Sequence, residues 1–92
     1  MNVKDQLIDI IIKEQAAIIG PLAWEEAGKV SGLRVDIRTH LVSVEGDSKE
    51  VMEKLVTRYE RLFGKASREV CRDAVRPYIA QIPPDQLPTV LL

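Results

Sequence analysis

The sequence predicts an α+β fold, with two helices, a β-hairpin and two further helices in one small domain. Three observations predict it. Apolar residues recur at helical spacing near both ends of the chain, two short segments at 33–38 and 41–45 alternate between apolar and polar residues, and glycine or proline separates these segments. The 92 residues are 46% hydrophobic and 29% charged, a composition that is typical of a folded protein.

The first helix is predicted to begin after a cap at Asn2, and its apolar surface is unusually wide. Residues 7–19 leave only a narrow polar strip, which indicates a helix that is buried on more than one side. At Gly20-Pro21 the helix either kinks or stops and restarts, because proline has no amide hydrogen and clashes with the preceding turn. A short chain has little material to cover so wide a surface. The sequence therefore predicts a homodimer, whose candidate interface contains Leu7, Ile11, Ala16, Ile18 and Ala23.

The alternating segments predict a β-hairpin after the second helix, which is expected to cover residues 22–30. Thr39-His40 is the expected loop, although this pair is poor two-residue turn chemistry and the loop can be one or two residues longer. A lone two-stranded ribbon is marginally stable and needs helices on its apolar face or strands from a partner. The predicted register sets three compatible pairs opposite each other: Ile37 with Val42, Val35 with Val44, and Arg34 with Glu45.

The third helix is predicted to begin at a cap formed by Asp47 or Ser48 and to run to Phe63. Gly64 follows, and glycine is the residue that most easily adopts the left-handed conformation found after a helix. Whether Gly64 breaks the helix decides if the cations on both sides of it form one line or two patches.

The fourth helix is predicted to begin at a cap formed by Ser67 and to continue, with a kink at Pro77, to Gln81. Helical and strand periodicity together predict the buried core, which is expected to contain Leu7, Ile11, Ile18, Val35, Val44, Leu55, Tyr59 and Leu62.

Residues 1–82 are interpreted as the α+β domain and residues 83–92 as a proline-containing tail. Prolines prevent regular structure in the tail, yet its end is apolar. An apolar end is costly to leave in water, so the tail is expected to pack on the body of the protein or to dock on a partner.

A row of seven cations follows one face of the third and fourth helices, and we call it the basic stripe. Its members recur three or four residues apart: Lys54, Arg58, Arg61, Lys65, Arg68, Arg72 and Arg76. Like charges at this spacing repel, so another charge must offset them. Either Glu50, Glu69, Asp73 and the acidic first half of the chain supply it, or the stripe binds an acidic protein or, less favoured, a nucleic acid.

Several classes of function lack a signature. The sequence contains no glycine-rich phosphate loop, nucleophile elbow, CxxC pair or HExxH motif. One cysteine, Cys71, allows no internal disulfide, and the only histidine, His40, falls in an expected exposed turn. No segment is long and apolar enough for a membrane span. We therefore expect a cytoplasmic protein that is not an enzyme and has no cofactor, metal or membrane partner.

Residues 28–64 contain two passages, Gly28 to Ile37 and Leu41 to Leu55, that follow a helix, strand, strand, helix order. These passages resemble the corresponding part of the KH family of RNA-binding domains. Ile18-Ile19-Gly20 is similar to the start of its GxxG segment, but the second glycine is absent. Because the GxxG backbone grips nucleotides in that family, its absence removes the main RNA contact.

The sequence therefore predicts a small non-enzymatic module for protein–protein interaction or regulation, acting as a homodimer. The alternative is a nucleic-acid-binding protein that uses the basic stripe. A net charge of −1 and only one Trp, two Tyr and one Phe favour the protein partner, because nucleic-acid binders rely on positive charge and stacking rings.

Overall fold

The computed structural model describes residues 3–92, and its elements follow the predicted α+β order. The helices are α1 (Val3–Ile19), α2 (Leu22–Ala27), α3 (Ser48–Phe63) and α4 (Lys65–Val75). The hairpin consists of β1 (Leu33–Val35) and β2 (Val42–Val44). Three 3₁₀ turns complete the described chain: Arg76–Gln81, Pro84–Gln86 and Thr89–Leu91. The predicted cap Asn2 lies outside the described residues.

The chain turns sharply between α1 and α2, at the predicted Gly20-Pro21 position. Gly20 has φ +77°, a conformation that glycine adopts without steric cost, and its N–H donates to the carbonyl of Ala16 at 2.9 Å. Helix α2 restarts at Leu22, directly after Pro21. Its end at Ala27, three residues before the predicted end, leaves residues 28–32 as a connection to the hairpin.

The hairpin differs from the prediction in its register and loop. The observed cross-strand pairs are Leu33 with Val44, Arg34 with Ser43, and Val35 with Val42. Asp36 causes the shift, because its Oδ1 accepts the N–H groups of Arg38 and Thr39 and its carbonyl accepts the N–H of His40. The predicted register was therefore wrong, since these hydrogen bonds make the loop six residues long, from 36 to 41.

The two C-terminal helices meet at Gly64. Asp47 caps α3 by accepting the Lys49 N–H on its side chain, as predicted. Gly64 has φ +91° and its N–H donates to the Glu60 carbonyl, so α3 ends here and α4 begins at the next residue. The predicted capping role of Ser67 is wrong, because Ser67 is buried inside α4 and its hydroxyl donates to Gln15 Oε1.

The core lies between α1, α2, α3 and α4 and is aliphatic except for Trp24 and Tyr59. Four of the eight predicted core residues are fully buried, and two are half-buried on the hairpin: Leu7, Ile11, Leu55 and Tyr59, then Val35 and Val44. Ile18 and Leu62 are 64% and 48% exposed, so their prediction as core was wrong. Each belongs to the last turn of its helix.

A buried polar seam joins α1 to α4. Gln15 is fully buried, and its Nε2 donates to the Ser67 carbonyl at 2.8 Å and to Cys71 Sγ at 3.2 Å. Its Oε1 accepts the Ser67 hydroxyl at 3.2 Å. The polar atoms of a buried glutamine need such partners, so this seam sets the relative position of the two helices.

The proline-containing tail packs on the body of the protein. Ile82, Leu87 and Leu91 are buried in the core, and 3₁₀ turns between the prolines bring these side chains inward. Lys49 of α3 also donates to the Asp85 carbonyl at 2.7 Å. This packing removes Leu87 and Leu91 from water, whereas Leu92 stays 52% exposed.

Candidate partner-binding surfaces

The basic stripe is divided by Gly64 into two patches on separate helices. Lys54, Arg58 and Arg61 belong to α3, whereas Lys65, Arg68, Arg72 and Arg76 belong to α4 or the residue that follows it. Because the conformation of Gly64 interrupts the helical repeat, spacing along the sequence no longer aligns the two groups.

Most of the stripe is neutralised within the chain. The ion pairs lie between 2.8 and 3.3 Å and join Lys54 to Glu50, Arg58 to Glu26, Arg68 to Glu60, Arg72 to Glu69 and Arg76 to Asp73. The Arg68 contact is only a charge contact, because Nε makes no hydrogen bond within the described residues. Within residues 3–92, Arg61 and Lys65 have no ion pair, and Glu69 pairs with Arg72.

The carboxylate of Glu26 binds two cations beside α3. It is almost fully buried, its Oε1 accepts Arg58 Nε at 2.9 Å, and its Oε2 accepts Lys29 Nζ at 2.9 Å. The hydrogen bond from Lys29, followed by the one from Arg58, holds the pKa of this carboxyl below its usual value. The two cations are therefore positioned by a group that stays ionised at neutral pH.

A groove of about 470 Å³ lies between α3 and the start of the α2–β1 connection, and we call it the cationic groove. Four cations and two carboxylates line it, together with Val30, Ser31 and Thr57: Lys29, Lys54, Arg58, Arg61, Glu50 and Glu53. The sequence analysis did not place Lys29 and Glu26 among the candidate binding residues. Their spacing of three residues on a predicted helix is nevertheless the spacing at which a lysine and a glutamate form an ion pair. The groove presents hydrogen-bond donors to an anionic group.

Apolar side chains are exposed where the helices end, and we call Ile18, Leu22 and Leu62 the helix-end surface. Gln15 near the end of α1 contacts Ser67 in the first turn of α4. Tyr59, one turn before the end of α3, donates to the Ala23 carbonyl in the first turn of α2 at 2.7 Å. The interhelical turns at Gly20 and Gly64 therefore lie at the same end of the molecule.

The helix-end surface is open among residues 3–92. Ile18, Leu22 and Leu62 are 64%, 41% and 48% exposed. A Cβ atom built on Gly20 or Gly64 would meet no atom within 4 Å beyond the adjacent residues, so there is space beside each glycine. The candidate dimer residues divide accordingly: Leu7, Ile11 and Ala23 are fully buried within one chain, Ala16 is half-buried, and Ile18 remains available.

Two titratable side chains, Cys71 and Tyr59, lie in the hydrophobic core. Desolvation raises the pKa of the Cys71 thiol to about 11 and raises the pKa of Tyr59 as well. A protonated thiol that accepts from Gln15 is a poor nucleophile. Within residues 3–92, no three His, Cys, Asp or Glu side chains are arranged to hold a metal ion.

His40 is exposed in the hairpin loop, as the sequence predicts, and it also contacts α2. Its ring stacks on Trp24 with centroids 4.1 Å apart and planes within 6°. Its φ of 60° is unusual for a residue with a side chain. The stack joins the hairpin loop to α2, a contact between residues too far apart in the sequence for any local pattern to indicate.

The fold and its surfaces define a small α+β domain with a cationic groove and an apolar helix-end surface. Comparisons with protein-family models, curated protein sequences and solved structures found no match. The resemblance to KH-type domains therefore rests on the order of α2, β1, β2 and α3 alone. No helix within residues 3–92 is long and apolar enough to cross a bilayer.

Proposed function

We propose that this protein is a non-enzymatic interaction module of the cytoplasm, that it binds an acidic segment of a partner protein, and that it acts as a homodimer. The observation that supports partner binding is the cationic groove, where Lys29, Lys54, Arg58 and Arg61 line one opening. A single cysteine, buried and without a pairing partner, suits a reducing compartment.

The buried Glu26 supports an acidic ligand. It holds Lys29 and Arg58 at the groove, and their side chains remain 60% and 32% exposed. Arg61 adds a guanidinium that forms no ion pair within residues 3–92. Donors that are already positioned lose less conformational entropy when they bind a carboxylate than free side chains do.

A protein ligand suits this groove better than a nucleic acid. Trp24 and Tyr59 are buried, which leaves few rings for bases to stack on, and Gly64 divides the basic stripe that would follow a phosphate backbone. Glu50 and Glu53 also line the groove and would repel a continuous polyanion. A segment with spaced acidic residues avoids these carboxylates.

A charge-reversal pair tests the groove. A fluorescent peptide of alternating Glu and Ser is titrated by anisotropy into the wild type and into the Lys54→Glu/Arg61→Glu variant. We expect the variant to weaken binding by about tenfold or more, because two exposed charge contacts become repulsive. Arg58 is left unchanged, since its loss would leave the buried Glu26 without one of its two partners.

The matched control is Arg72→Glu/Arg76→Glu, which makes the same change of charge at the far end of α4. Binding of the control should remain within about twofold of the wild type, since only long-range charge changes. Equal losses in both variants would show nonspecific attraction and contradict the proposal. Binding of a single-stranded RNA probe, without binding of the peptide, would instead support the nucleic-acid function.

A further inference from the structure

The two turns that meet at the helix-end surface differ in charge. Residues 14–28, around the α1–α2 turn, contain Glu14, Glu25 and Glu26 and no cation. Residues 61–68, around the α3–α4 turn, contain Arg61, Lys65 and Arg68 and no acid. Among residues 3–92, neither exposed acid, Glu14 or Glu25, forms an ion pair, and neither do Arg61 and Lys65. The segments that contribute the apolar surface thus carry unpaired charges of opposite sign.

We propose that a second copy of this chain docks on the helix-end surface through a two-fold axis. Such an axis places the basic α3–α4 turn of each protomer over the acidic α1–α2 turn of its partner. Ile18, Leu22 and Leu62 of both protomers then meet at the centre and leave water. This interface rests on the proposed homodimer and specifies how it is built.

The charge pattern of the two turns favours a second copy of this chain over other partners. A purely acidic or purely basic partner would be repelled by one of the two turns, whereas a second copy offers both signs in the complementary order. The open space beside Gly20 and Gly64 favours a close approach of the two surfaces, because a Cβ atom on either glycine would meet no atom within 4 Å beyond the adjacent residues. The expected dimer buries the apolar centre and surrounds it with charge pairs.

The apolar centre is tested with Ile18→Asp/Leu62→Asp, measured by analytical ultracentrifugation over a range of protein concentrations. Both side chains are largely exposed, so the variant should fold, which far-UV circular dichroism checks. We expect the dimer dissociation constant to rise by more than about tenfold. The control is Leu41→Asp, which introduces one acid at a 70% exposed position of the hairpin loop and should leave the dimer intact.

The two-fold arrangement is tested by exchanging charges. Lys65→Glu places an acid on the basic turn, and Glu25→Lys places a cation on the acidic turn, so each variant alone should dimerise more weakly than the wild type. Mixed together, the two variants should form a heterodimer, because both of its charge contacts are attractive. One contact joins the two substituted side chains, and the other joins the unchanged Lys65 of one protomer to the unchanged Glu25 of its partner. Restored association in the mixture is a result that a general loss of stability cannot produce.

Three results would overturn the interface: a wild type that stays monomeric at high concentration, a dimer that survives Ile18→Asp/Leu62→Asp, or a mixture of the charge variants that does not associate. Peptide binding by the Ile18→Asp/Leu62→Asp variant separates this inference from the proposed groove. A monomeric variant that still binds the acidic peptide supports both proposals, and a dimeric wild type that does not bind it supports only the interface.

Discussion

The helical seam around Gln15 and the β-hairpin differ in how their contacts are distributed. In the seam and the helical core beside it, side chains from α1, α3 and α4 are fully buried, and the polar atoms of Gln15 are hydrogen-bonded. In the hairpin, two three-residue strands pair with each other and with no further strand of residues 3–92, and Ile37 and Leu41 face solvent. The same chain therefore contains a helical region held by packing and a hairpin in which Leu33 and Val42 reach the core while local hydrogen bonds hold the loop.

This difference indicates where stability is concentrated. Removing buried volume from the helical core affects side chains of several helices at once, whereas a change at the hairpin tip affects few buried atoms. The Trp24–His40 stack is the main exception, because it couples the loop to α2. Four experiments, ordered by expected effect, measure how far the two regions differ.

Leu55→Ala should have the largest effect. Leu55 is fully buried, and removing its side chain is expected to lower the free energy of unfolding by roughly 2–5 kcal/mol, through lost burial and the cavity that remains. Urea denaturation followed by circular dichroism measures it. The hairpin control Leu41→Ala should stay within about 0.5 kcal/mol of the wild type, since Leu41 is mostly exposed. Similar losses in both variants would remove the contrast between the regions.

Gln15→Leu should lower the free energy of unfolding by about 1–3 kcal/mol, because the Ser67 hydroxyl loses its buried acceptor. The same substitution at Gln6, an exposed residue of the same helix, is the control and should change stability little. Thermal and urea unfolding of both variants give the comparison. An unaffected Gln15→Leu variant would mean that apolar packing alone positions α1 against α4.

Alkaline pH should weaken the seam through Cys71. Its folded pKa of about 11 lies above the ordinary value of 9.0, so the folded state holds the proton more strongly. The stabilisation that comes from the protonated Cys71 thiol is fully present below pH 9 and is lost as pH rises through about 11. Near pH 10, we expect the free energy of unfolding to be lower by roughly 1 kcal/mol. Cys71→Ser has no titrating thiol, so its stability should fall less over this window. If the stability of the wild type and of Cys71→Ser fell equally with rising pH, the loss could not be assigned to the Cys71 thiol.

His40→Ala should have the smallest effect, roughly 1 kcal/mol or less, because it removes the stack on Trp24 but keeps a side chain at φ 60°. His40→Gly should cost less, since glycine relieves the backbone strain. The fluorescence of Trp24, the only tryptophan, reports the lost contact in both variants. Arg38→Ala in the same loop is the control and should leave the emission unchanged.

Sequence patterns predicted the elements well and their three-dimensional neighbours poorly. The α+β class, the turn at Gly20-Pro21 and the cap at Asp47 follow from local chemistry, and the structure confirms them. The hairpin register was wrong because the Asp36 hydrogen bonds, rather than the Thr39-His40 pair, control the loop. For the candidate sites, the sequence locates the seven cations of the stripe, but their separation into groove and α4 patch depends on the backbone of Gly64.

Local chain chemistry dictates where this protein forms helices and strands, since glycine, proline, capping residues and apolar spacing act within a few positions. Packing between distant elements dictates which of its apolar and charged residues remain accessible. Ile18 and Leu62 follow the core pattern of their helices, yet they are exposed because the helices end there. Arg58 belongs to a surface row, yet it meets the buried Glu26 because α2 lies beside α3. Apolar spacing predicts which face of one helix is buried, but it does not predict where the helices that pack on that face end.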